Sequence, residues 1–167
     1  MTYKIYPGKK GIYHGMQEGR KAFSLSFPIW WSNEAYVDVM NESYYIEKKN
    51  FWGLSFRISK DDSTVGMLSY SHHLTNGGLM LDLVNESGNT LKLMLKARGM
   101  CKPRLEVWRD QQDHLFTIRY QYVDYWGSDM KYHIEQHTTE SLYFSEDGLA
   151  GLLSYAARLY SKQMGLF

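Results

Sequence analysis

Cysteine is almost missing from this sequence: Cys101 is the only one among 167 residues. One thiol forms no internal disulfide, which excludes the small secreted scaffold that substitutes crosslinks for a core. Proline is scarce as well, with three residues, and no linker, internal repeat or low-complexity tract divides the chain. Net charge is nearly absent, at +1, so no global field draws the chain to nucleic acid or membrane, and any such partner must be met by a local patch. No apolar run approaches the roughly 18 residues of a membrane span, and the opening Met1-Thr2-Tyr3-Lys4-Ile5-Tyr6-Pro7-Gly8 shows neither an apolar core nor a small-residue cleavage site. The expectation is a cytoplasmic protein with no membrane partner.

Aromatic residues are abundant: 16% of the chain, with 14 tyrosines and 5 tryptophans. They favour strands and build cores, and they also suit binding surfaces, where a Tyr offers a flat apolar body and a hydroxyl. Hydrophobic residues make up 44% and charged residues 22%, the balance of a chain that folds around a core as one unit, here 1–167.

Period-two alternation dominates. Phe23, Leu25 and Phe27 form one apolar face; Trp52, Leu54, Phe56 and Ile58 another; Leu79, Leu81 and Leu83 a third. Leu91, Leu93, Leu95 and Ala97 oppose Lys92, Met94, Lys96 and Arg98, while Phe116, Ile118, Tyr120 and Tyr122 oppose Thr117, Arg119, Gln121 and Val123. Turn residues punctuate these runs at 60–63, 76–78 and 85–89. Segments 51–58, 64–72, 79–84 and 90–98 therefore predict a hairpin-linked antiparallel meander with no room for crossover helices. Residues 34–40 read as a strand because Val37 and Val39 flank Asp38.

The pattern changes after Phe144. Ser145 is a helix cap, Glu146 and Asp147 suit the positive end of the dipole, and Leu149, Leu152, Leu153, Ala156, Leu159 and Tyr160 recur at helical spacing. Arg158 and Lys162 fall toward the C-terminal end, and Gly165 is the stop. The expectation is a mainly β fold of about eight to ten strands, either a partly open barrel or a two-sheet sandwich. One amphipathic helix, 146–163, lies on a sheet face or at a barrel end.

No residue pattern demands a cofactor. His133, Glu135 and His137 share one strand face, but His133 and His137 are about 13 Å apart in an extended strand, too far for one ion without a bulge; a solvated face is the simpler reading. Phosphate loops with lysine, G-x-S-x-G elbows and H-E-x-x-H helices are all missing. The basic segment is more informative. Lys92, Lys96, Arg98, Lys102 and Arg104 fall in 13 residues that contain no acid, with Trp108, Arg109 and Arg119 as extensions and Asp82 as a partial offset on the preceding strand. Basic side chains beside aromatics hold a phosphate backbone or an acidic protein surface; the plainer alternative is a solvated face whose lysines guard an edge.

Three functional expectations follow. The first is a non-enzymatic interaction protein, an inhibitor or adaptor similar in general character to phage-encoded factors that target host machinery. It binds a protein or nucleic acid through Lys92, Lys96, Arg98, Lys102, Arg104, Trp108, Arg119, Tyr125 and Trp126. The second rests on the meander and C-terminal helix, whose general plan resembles lipocalin-like barrels and implies a small apolar ligand; the Gly-x-Trp of that family is missing. The third rests on His73-Leu74-Thr75 and His137-Thr138-Thr139, which resemble the paired His-x-Thr motifs of two-histidine phosphoesterases. That resemblance implies acid–base roles for His73 and His137 and phosphate binding by Thr75 and Thr139.

Overall fold

The structure is a computed structural model that describes residues 1–9, 11–29, 32–50, 54–71, 78–99, 104–110, 112–123 and 130–164; the side chains of 122, 123, 130, 163 and 164 lie outside the description. Among these residues twelve strands follow one another: β1 (Thr2–Pro7), β2 (Ile12–Gln17), β3 (Arg20–Ser26), β4 (Ala35–Val39), β5 (Glu42–Lys48), β6 (Ser55–Lys60), β7 (Ser63–Tyr70), β8 (Gly78–Val84), β9 (Thr90–Arg98), β10 (Arg104–Arg109), β11 (Asp113–Val123) and β12 (Met130–Gln136). Each pairs antiparallel with its sequence neighbour, and β1 pairs with β12 to close a barrel. The expected meander is present as β6 to β9, and the expected strand at 34–40 as β4. The barrel is closed rather than partly open, and closure leaves no unpaired edge strand.

Alternation in sequence becomes inside and outside. Leu91, Leu93 and Leu95 are buried in the wall's inner face, as are Leu79, Leu81, Leu83, Phe56, Ile58, Phe23, Leu25 and Phe27. Tight turns join strands at one rim, called here the near rim. Asp61 and Asp62 take φ of 48° and 61°, the paired left-handed residues of a two-residue hairpin whose twist matches its strands.

Among the described residues a single helix, α1 (Glu146–Met164), follows β12. Its place differs from the expected sheet face or barrel end: it runs through the lumen from the near rim to the far rim. Residues 148–161 are buried on all sides except for a half-exposed Arg158. Geometry explains the fit. Twelve strands at about 4.8 Å spacing and a tilt near 40° give a backbone diameter of about 24 Å, and inward side chains leave a bore about as wide as a helix, 10–12 Å. Gly151 sits where a Cβ would overlap Val37 Cγ1, so the helix backbone approaches β4 closely.

Polar groups fix the helix along its length. Ser145 caps it, its Oγ accepting from the Gly148 N–H at 3.1 Å. At the near rim Asp147 accepts from the Tyr3 hydroxyl at 3.0 Å and from Arg20 at 2.9 Å. In the lumen the Tyr132 and Tyr120 hydroxyls donate to the Ser154 and Ala157 carbonyls at 3.1 and 2.8 Å. At the far rim the Tyr155 hydroxyl donates to the Asn33 carbonyl at 2.7 Å. The wealth of tyrosine thus serves the interior directly, since the hydroxyls of Tyr3, Tyr120, Tyr132 and Tyr155 each meet an acceptor that a Phe would leave unpaired. No described helix is long and apolar enough to cross a membrane.

Candidate functional site

Even-numbered residues of β9 and β10 point outward, so the basic segment stands on the outer wall. Register sets its pattern. Arg104 lies opposite Arg98 on one side and Arg119 on the other. Arg119 lies opposite His133, and His133 opposite Lys4. One lateral row across β9, β10, β11, β12 and β1 therefore reads Arg98, Arg104, Arg119, His133, Lys4. Lys92 and Lys96 extend it along β9, and exposed Lys131 lies beside it on β12.

Like charges directly opposite each other are unfavourable, and acids one row away moderate them. Glu106 is nearly buried beneath the arginines; it accepts from Arg104 Nη2 at 3.0 Å and lies 3.6 Å from Arg98 Nε. Glu135 takes Arg119 at 3.1 Å. Asp82 lies opposite Lys92, the offset expected from sequence. Against Asp82, Glu106 and Glu135 stand seven cations: Lys4, Lys92, Lys96, Arg98, Arg104, Arg119 and Lys131. Partial burial, and next the adjacent Lys4, hold the His133 pKa below its ordinary value, so His133 adds its charge only on acidification.

Trp108 lies on the same wall, nearer the helix start, but half-buried rather than openly exposed. A register shift between Val107 and Trp108 skips Leu115 and places Trp108 opposite His114. The bulge turns His114 outward, against the parity its position would suggest. Its ring stacks on Trp108 at 4.7 Å and meets His137 at 4.6 Å, and Thr117 Oγ1 bridges the two imidazoles at 3.1 and 2.8 Å from their Nε2 atoms. Arg109 flanks the group, bound to Asp113 and Glu140.

Other expected residues fall differently. Lys102, Tyr125, Trp126, His73 and Thr75 lie outside the described residues. The strand ends that bracket His73 and Thr75, Tyr70 and Gly78, belong to the far rim, whereas His137 and Thr139 follow β12 at the near rim. The helix occupies the space that a lipocalin-like plan leaves for a ligand. A near-rim cleft of about 260 Å³ lies beside the helix start, and its Lys60 is bound by Glu42 and Glu86 at 3.0 and 3.1 Å. Among the described residues no three His, Cys, Asp or Glu side chains converge on a metal position. His114, Glu106 and Lys4 escaped the sequence reading, His114 because of the bulge and the others because strand register is invisible in the linear order. Comparison of the chain with protein-family models, with curated proteins and with solved structures finds no match.

Proposed function

We propose that this is a non-enzymatic interaction protein, an inhibitor or adaptor of a nucleic-acid machine in a reducing, cytoplasmic setting. It binds an anionic macromolecular surface, acidic protein or nucleic acid, through the outer wall of β9–β12 and β1. The single observation that carries this reading is the lateral row Arg98, Arg104, Arg119, His133, Lys4. Edge protection does not account for it, because a closed barrel has no edge to protect. Each opposed arginine pair costs a few tenths to about 1 kcal/mol without a partner, a cost that an anionic surface converts into affinity. With a net charge of +1, attraction is confined to about a Debye length, roughly 8 Å at physiological salt, which favours docking over long-range capture.

The test removes or reverses charges that hold no ion pair among the described residues. Lys4→Glu, Lys92→Gln and Lys96→Gln together leave Glu106 and Glu135 paired with their arginines and set no new acid opposite Asp82 or Glu106, so the fold is retained, as circular dichroism checks. Pull-down from the native host with wild type and triple variant is then compared. Loss of a salt-sensitive partner in the variant supports the reading; equal recovery by both overturns it.

A further inference from the structure

The far end of the barrel holds a second group of cations, on the helix itself. Arg158 and Lys162 are one turn apart, so both face the same side, and like charges at that spacing repel. The Arg158 guanidinium stacks on Phe27 at 3.8 Å and lies 5.5 Å from the Tyr13 ring centre. Its Nε is buried without a hydrogen-bond partner, and no described carboxylate pairs with it. The Lys162 ammonium donates to Asn33 Oδ1 at 3.2 Å. Desolvation, then Arg158, then Lys48 lower its pKa.

The helix C-terminus explains a preference for cations there, worth about 0.3–1 kcal/mol each. It does not explain an arginine drawn into the bore, stacked on a ring and with no acceptor for its Nε among the described residues, beside two lysines. A guanidinium stacked by one face keeps its N–H edge available for an oxyanion. We propose that the far mouth of the barrel is an oxyanion site: Arg158 supplies the fork, Lys162 and Lys48 the surrounding charge, and the phosphate or carboxylate head of a small ligand fills it. This site is independent of the outer-wall row.

The test is thermal unfolding of the full chain in inorganic phosphate, in acetate and in chloride at matched ionic strength. A site-bound anion raises the midpoint by about 4 °C at tenfold its dissociation constant. Phosphate or acetate is expected to exceed chloride for wild type and for the outer-wall triple variant. The gain should shrink in Lys162→Met, an exposed position where the variant's own sharp transition checks that it folds, and vanish in Arg158→Met/Lys162→Met. A gain with phosphate alone identifies a phosphate head, and a gain with acetate a carboxylate. No gain over chloride overturns the proposal, as does a gain that survives Lys162→Met undiminished or disappears in the outer-wall variant.

Discussion

At the scale of single residues, small side chains decide as much as large ones. Gly151 is mid-helix, where alanine is intrinsically better by about 1 kcal/mol. Its Cβ would overlap Val37 Cγ1, and Val37, fully buried in β4, has no flexible end to move. Overpacking of this kind costs about 1–3 kcal/mol and outweighs the propensity. Gly151→Ala should therefore lower stability by about 1–2 kcal/mol in urea unfolding; a gain would show that the wall yields. His137 makes a prediction of a different kind. Desolvation and then His114 hold its pKa below the ordinary value. An unfolded chain takes up the proton near pH 6.5, before the folded chain does. The stability tied to the neutral ring is complete above that pH and is lost as pH falls toward the folded value. Melting temperature should drop between pH 7 and 5.5, with a shallower slope in His137→Gln. A midpoint that rises on acidification would contradict this account.

At the scale of elements, strands and helix were readable and the helix's surroundings were not. Alternation of Leu91, Leu93 and Leu95 against Lys92, Met94 and Lys96 marks one wall face in and one out, because a strand repeats every two residues. The spacing predicts a helix over 146–163, and α1 runs Glu146–Met164. Its stripe of Leu149, Leu152, Leu153, Ala156 and Leu159 suggested a one-sided helix. Yet no charge occurs from Gly148 to Ala157, and the face opposite the stripe is Gly, Ala and Ser, small rather than polar. A helix without a charged face is one buried all round; the small residues hid that, since hydropathy scores them near neutral while sterically they admit a barrel wall. The candidate site was legible as composition, through Lys92, Lys96, Arg98, Arg104 and Arg119. Its row was not, because register across five strands depends on turn lengths and on bulges such as the one at Trp108.

At the scale of the whole molecule, closure and filling are one event. The first strand pairs with the last, Tyr3 opposite Ile134, so the seam forms only when nearly the entire chain is in place, and such distant pairing is slow and entropically dear. The wall alone does not repay it. Without α1 the inward faces of Phe23, Val37, Ile46, Tyr132 and Ile134 would surround a wet bore, and the helix's own Leu149, Leu152, Leu153 and Leu159 would lose their burial. At about 1.5–3 kcal/mol per large side chain, the helix's four leucines alone contribute about 6–12 kcal/mol, comparable to the 5–15 kcal/mol total stability of a domain. The chain stopped after Ser145 should therefore fail to close: near-UV dichroism is expected to be lost, a hydrophobic dye to bind, and thermal unfolding to lose its cooperativity. A truncated chain that kept a sharp transition would mean that the barrel wall is self-sufficient and that the helix is a guest in it. Partner capture by the outer wall gives a second readout. The row Arg98, Arg104, Arg119, His133, Lys4 crosses the β1–β12 seam, so it exists as one surface only in the closed barrel. The truncated chain should lose the partner together with its cooperative transition, although every cation of that row remains in its sequence.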